Sequence, residues 1–131
     1  MNIGQLSRRT GVPIDTVRYY EKQCLLPPPT RSASGYRHYE ADDVLRLNFI
    51  RRAKALGFTL EEIRELLALS SAHDGDMAAI RSAATDKLVD VEQRLAELTR
   101  VRDGLRQLVD ACPGHGALDQ CPILTALGGE A

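Results

Sequence analysis

The sequence predicts a mainly α-helical chain in three parts: short helices with a β-wing, one long helix, and a loop bracketed by cysteines. Three observations carry this. Aromatic residues make up only 5% of the 131 and Trp is absent, so the core must be aliphatic, which suits helices better than a β-sandwich. No proline falls between Met77 and Val109, and apolar residues recur there at steps of four and three. Cys112 and Cys121 then enclose a compact segment holding His115, Gly114 and Gly116.

Each element has a local reason. Asn2 with Gln5 is a variant capping box for a first helix, in which Ile3 and Leu6 share a face and which Gly11 ends. Pro13 suits the first position of a second helix, with Asp15 in its first turn and Lys22 near its end. Two short helices joined by a tight glycine-containing turn make a helix-turn-helix. Pro27, Pro28 and Pro29 cannot continue it. Ser32–Tyr39 reads as a turn and a short strand, a small β-wing.

A third helix starts at Glu40 or Ala41. Val44, Leu47, Ile50 and Lys54 fall on one side at helical spacing, and Gly57 stops it. Thr59 with Glu62 is a capping box for a fourth helix, with Ile63, Leu66 and Leu67 on its apolar face. Residues 70–76 form a polar linker. Ala84, Leu88, Val91, Leu95, Leu98, Leu105 and Val109 then make a heptad seam, interrupted at Arg102. A lone helix of that length exposes its seam, so a second subunit, or packing against the N-terminal helices, must cover it. Pro122 opens a short last helix bearing Ile123, Leu124 and Leu127, which Gly128-Gly129 ends before a frayed terminus.

The charge is uneven. Residues 1–60 carry ten Lys/Arg and five Asp/Glu, a net of +5, whereas residues 61–131 carry seven and thirteen, a net of −6. A basic half beside an acidic half suggests a polyanionic partner for the first, against the plainer reading of ordinary surface charge. No apolar run approaches the roughly 18 residues of a membrane span, and the N-terminus has no signal-peptide apolar region. The expectation is a cytoplasmic protein with reduced thiols, in which Cys112 and Cys121 are ligands rather than a bridge.

Residues 1–70 resemble the MerR family of bacterial transcription regulators. The matching runs are Ile3-Gly4-Gln5-Leu6, Gly11-Val12-Pro13, Thr16-Val17-Arg18-Tyr19-Tyr20-Glu21, Leu25-Leu26-Pro27, Arg31, Gly35-Tyr36-Arg37-His38-Tyr39, Val44, Leu47 and Ile50, and Leu56-Gly57-Phe58-Thr59-Leu60-Glu61-Glu62-Ile63. The tail, with Ala111-Cys112-Pro113-Gly114 and Cys121-Pro122-Ile123-Leu124, is similar to the metal-sensing branch, which includes copper-efflux and related heavy-metal regulators. Cys24 departs from the pattern, standing where family members often carry Gly.

The resemblance implies a mainly α fold: a winged helix-turn-helix DNA-binding domain over 1–70, a dimerisation helix over 77–110 pairing as an antiparallel coiled coil in a homodimer, and a metal-binding loop with a short terminal helix over 111–131. It also implies a mode of activation. The dimer holds its promoter with or without effector, and the effector-bound form bends and undertwists an over-long spacer so that RNA polymerase engages both promoter elements. The second helix enters the major groove. The DNA-binding candidates are Thr16, Arg18, Tyr19, Tyr20, Arg31, Tyr36 and Arg37. Arg18 could meet a guanine edge or a phosphate, while the residues around the wing position the protein on phosphates.

Soft thiolates favour Cu(I), Ag(I), Au(I), Hg(II) and Zn(II). Divalent-ion members of the branch commonly carry a further Cys at the start of the long helix, and Met77 stands there. Two thiolates beside an apolar neighbour suit a linear monovalent ion, with Cu(I) first. His115, His73 and Asp119, and a loop spacing closer to that of divalent members, speak instead for Zn(II), Cd(II), Pb(II) or Hg(II). Other classes are less well supported. A metal buffer or chaperone would not need the basic winged half, a drug-responsive regulator would need a longer tail, and no nucleophile–base pair or phosphate loop suggests an enzyme.

Overall fold

A computed structural model describes residues 1–31, 35–72 and 74–128. The chain divides into two compact units, Met1–Ala84 and Thr85–Ala131. The first contains α1 (Ile3–Thr10), α2 (Ile14–Lys22), β1 (Thr30–Arg31), β2 (Arg37–His38), α3 (Ala41–Ala55), α4 (Leu60–Ser70) and the start of α5 (Met77–Ala111). The second holds the rest of α5, a 3-10 turn (Leu118–Gln120) and α6 (Pro122–Gly128).

The local stop and start signals act where the sequence places them. Asn2 Oδ1 accepts from Gln5 N at 2.8 Å and Gln5 Oε1 accepts from Asn2 N at 2.8 Å, so two otherwise orphaned donors of α1 are satisfied reciprocally. Thr59 and Glu62 repeat the arrangement at α4, at 3.2 and 2.8 Å. Pro13 proves to be the residue just before α2 rather than its first member.

The wing is an antiparallel pair with Thr30 opposite His38 and Arg31 opposite Arg37. Its first strand, directly after the three prolines, was not anticipated. The turn expected at Ser32–Ser34, His73 and the fraying expected from Gly129 onwards all fall outside the described residues.

In the first unit α1 packs on α2 and α3, and α3 on α4. The core joins Leu6, Val12, Val17, Tyr20, Leu25, Leu26, Tyr39, Leu47, Ile50, Ala53, Ile63 and Leu67. Fully burying one such aliphatic side chain is worth about 1.5–3 kcal/mol, so this cluster fixes how α2 and the wing are presented. One expectation is corrected: Lys54 is exposed, and Ala53 closes the buried face of α3. The step of three from Ile50 suits a small side chain near the helix end, whereas an ammonium there would be desolvated without a partner.

In the second unit the seam of α5 is open. Leu88, Val91, Leu95, Leu98, Leu105 and Val109 are each at least 40% exposed. Arg102 stands in the seam as expected and itself lines the groove there, but an apolar neighbour keeps the stripe continuous. Val101 lines a shallow groove with Leu98, Leu105 and Val109, because positions 98, 101 and 105 share a helix face as well as positions 98, 102 and 105 do. Among the described residues no helix is long and apolar enough to cross a membrane.

Candidate functional site

The outer face of α2 and the wing form one surface. Val17 and Tyr20 turn inward, three residues apart, and so Asp15, Arg18, Tyr19 and Lys22 turn outward. A hollow of about 680 Å³ lies between this face and the segment before the wing, lined by Arg18, Tyr19, Lys22, Pro28, Pro29 and Arg37 together with Asp15 and Glu21. Arg18 is exposed and Thr16 half-buried. Tyr19 and Tyr36 are exposed.

Tyr20 is different. It is buried, and burial, with Tyr19 beside it, pushes its hydroxyl pKa up. It belongs first to the core. Arg31 lies in β1 opposite Arg37, and its side chain lies outside the description.

Glu21 organises this surface, and the sequence reading assigned it no role. Its Oε2 accepts from Arg37 Nη1 at 3.1 Å, and its Oε1 accepts from the Tyr39 hydroxyl. The carboxylate is 11% exposed and the Arg37 side chain 40%, so the acid is sheltered while the guanidinium keeps an open side. Burial, then the bond to Glu21 and the charge on Glu21, push the Tyr39 hydroxyl up to about 12, with Arg37 acting in the opposite sense. The only sequence signal was the Tyr-Tyr-Glu run. Nothing in it names partners 16 and 18 residues away.

The end of α2 is closed by a reverse turn. Leu25 N donates to Tyr20 O at 2.9 Å and Cys24 N to Glu21 O at 3.1 Å, with Cys24 at φ 61°. These are the paired bonds of a Schellman closure, in which the left-handed residue is usually Gly. The sequence departure at Cys24 therefore falls on the position where a side chain is least welcome.

At the other end of the chain, α5 stops at Ala111 and Cys112 follows, its N–H on Val109 O at 3.2 Å. Gly114 at φ 81° and Gly116 at φ 113° turn the chain back, in conformations that an L side chain rarely adopts. Pro122 is the first residue of α6, so Cys121 stands at its cap. The Cys121 carbonyl accepts from Thr125 N at 3.0 Å.

Its thiol takes the place of a capping oxygen. The Leu124 N–H does most to pull the Cys121 pKa down; desolvation opposes it, and the Ile123 N–H and then the Cys112 side chain lower it further by smaller amounts. The thiolate is the metal-binding form, and here it has preformed donors.

The loop from Cys112 to Cys121 encloses a cavity of about 290 Å³ lined by both cysteines, Pro113, His115 and Leu118 among others. His115 Nδ1 lies 3.1 Å from Pro113 O. Asp119 sits in the 3-10 turn, and Met77 opens α5 with its side chain exposed. Among the described residues no three His, Cys, Asp or Glu side chains converge as ligands. The structure thus unites Cys112 with Cys121 and leaves a donor set of two soft sulfurs, which fits a thiophilic ion.

Comparison with known proteins places this geometry. The profile described as "MerR HTH family regulatory protein" matches residues 1–70, and that described as "MerR, DNA binding" matches residues 44–108. The chain is 46% identical to the HTH-type transcriptional regulator HmrR of Rhizobium leguminosarum bv. viciae, over 97% of each chain. It is 38% identical to the HTH-type transcriptional regulator CueR of Yersinia pestis, over 98% of this chain and 92% of that one. Its fold is similar to that of the transcription regulator PbrR691 from Ralstonia metallidurans in complex with lead(II), with a TM-score of 0.85, 33% identity, and coverage of 97% and 98%. These relatives are transcription regulators, not enzymes. The mainly helical architecture, the helix-turn-helix with its wing and the full-length likeness agree: the chain belongs to the MerR family of DNA-binding transcription regulators.

Proposed function

We propose that this chain is a metal-responsive regulator that works as a homodimer on promoter DNA and activates a metal-resistance or efflux promoter by distorting its spacer. Residues 1–70 read the DNA, 77–110 pair the subunits and 111–131 sense the ion. Cys112 and Cys121 are the ligands, and Cu(I), with Ag(I) and Au(I), is the favoured class. One observation carries the sensor reading: Cys112 and Cys121 line one small cavity, which the turns at Gly114 and Gly116 fold their loop around. A pair of thiolates supplies two soft, negatively charged donors, the set that a monovalent coinage ion prefers.

The other parts rest on separate observations. The open seam from Leu88 to Val109 supports pairing with a second copy. The exposed Arg18 and Tyr19, with Tyr36 and the Glu21-braced Arg37, support phosphate and groove contacts; Thr16, Tyr20 and Arg31 complete the set. Binding an ion changes the charge and bonding at the end of α5, and promoter distortion by the dimer then lets RNA polymerase engage both promoter elements.

A divalent reading has an observation of its own. With a proton on Nδ1, His115 donates to Pro113 O and its Nε2 is left as a free lone pair, the usual arrangement of a ligating histidine. The lead(II) complex of a similar protein points the same way. In vitro transcription from the chain's own upstream DNA across a panel of metals tests both. Induction by Cu(I), Ag(I) and Au(I) that persists in His115→Ala supports the first reading. Induction by Zn(II), Cd(II), Pb(II) or Hg(II) that His115→Ala weakens supports the second. Silence toward every thiophilic ion rejects both.

A further inference from the structure

The closure at the end of α2 leaves two backbone carbonyls, those of Gln23 and Leu25, on either side of the left-handed Cys24. Gln23 is the cap of α2 and Leu25 lies just beyond it, where the chain leaves the helix. Arg64 Nη2, from α4, donates to Gln23 O at 2.5 Å, 41 residues away in sequence, and Arg46 Nε, from α3, donates to Leu25 O at 2.6 Å, 21 residues away. Arg64 is itself aimed by Glu61, whose Oε2 accepts from Nη1 at 2.5 Å. Both arginines are half-buried and Leu25 is fully buried.

The carbonyl end of a helix is its negative pole, with acceptors that lack intrahelical donors. A guanidinium placed there makes a charge-assisted bond that is shorter and stronger than a neutral one. Two such bonds from two different helices fix both the position of the α2 terminus and its rotation. The core alone fixes these less tightly, because apolar contacts are non-directional.

We infer that Arg46 and Arg64 are positioning residues for DNA recognition: they tie the end of the groove-entering helix to α3 and α4 and so set the angle at which α2 is presented. Neither is assigned to the DNA contact itself. In a dimer, the angle of α2 in each subunit sets the spacing of the two half-sites that the protein accepts. The clamp therefore acts on selectivity for spacing more than on affinity. This rests on the homodimer reading above but not on metal sensing, and its test needs no metal.

The full chain would be titrated onto its operator and onto a copy whose half-sites stand one base pair further apart. Arg64→Ala should bind the native operator within about threefold of the unsubstituted protein while its preference for native over lengthened spacing falls at least threefold; Arg46→Ala should do the same. Arg64→Lys, which keeps the charge and a donor, should recover part of that preference. Hydrogen exchange at the Leu25 amide should quicken at least tenfold in Arg64→Ala, with Leu47 and Ile50 unchanged.

A merely structural role would weaken binding to both operators in proportion to the folded fraction and leave the preference intact. That result, or unchanged exchange at Leu25, overturns the inference. An unsubstituted protein with no spacing preference at all would instead count against the homodimer, and exchange at Leu25 would then decide the clamp by itself.

Discussion

The Tyr39 hydroxyl donates to Glu21 across the junction of wing and α2, and the same carboxylate holds Arg37. A buried phenol therefore sits behind an arginine that faces outward, and its proton is part of the structure.

The sign of its pH dependence follows. The folded pKa is raised from 10.0 to about 12, so the unfolded chain releases this proton first as pH rises. The stabilisation is fully present below pH 10 and is lost between about pH 10 and 12, on the order of 3 kcal/mol in all. Urea unfolding at pH 8 and pH 11 should show a larger loss for the parent than for Tyr39→Phe, which has no proton to release. Equal losses would show that this phenol does not titrate as described.

Arg18→Ala is expected to weaken operator binding by roughly 1–3 kcal/mol with the oligomer unchanged. A phosphate contact would lower the salt slope by about one and weaken all sequences alike, whereas a guanine contact would relax preference at one base. Anisotropy titrations at several salt concentrations separate these, and an unchanged affinity would remove Arg18 from the interface.

Cys112→Ser and Cys121→Ser should each abolish induction while operator binding persists, measured by transcription and by footprinting. Loss of DNA binding in either would contradict the sensor assignment. Alkylation of Cys121 should proceed at lower pH than for an ordinary thiol, and Cys112→Ala, which takes away the neighbouring donor, should shift that profile upward slightly. Met77→Cys should move the response toward divalent ions; an unmoved metal panel would weaken the selectivity reading.

Cys24→Gly should stabilise the protein. A side chain in the left-handed region costs about 1–2 kcal/mol, while the extra freedom of Gly in the unfolded chain takes back about 0.5–1 kcal/mol. A gain of up to about 1.5 kcal/mol in urea midpoint analysis is the expected outcome. A loss would show that the thiol has a role beyond occupying φ 61°.

The helices and their ends were legible because their signals lie within four residues of one another. Asn2 with Gln5, Gly11, and Thr59 with Glu62 all act where the sequence puts them. Cys112 and Cys121 were legible as a pair for a similar reason: a short loop with two glycines keeps their sulfurs together wherever the rest of the chain goes. The misplaced inward face at Lys54 and the overlooked Val101 are failures of the same reading, since helical spacing admits steps of both three and four and only packing chooses between them.

What the sequence by itself determined was therefore the helices and most of their caps, the family and the pairing of the two cysteines in one loop. Tertiary structure alone decided that Glu21 braces Arg37 and Tyr39, that Tyr20 turns inward, and that Arg46 and Arg64 donate to the carbonyls of Leu25 and Gln23 at the end of α2. A carboxylate or guanidinium can reach many backbone and side-chain groups with similar energy. Which one it meets depends on how the aliphatic core seats the helices against each other, and that information is spread over residues far apart in the chain.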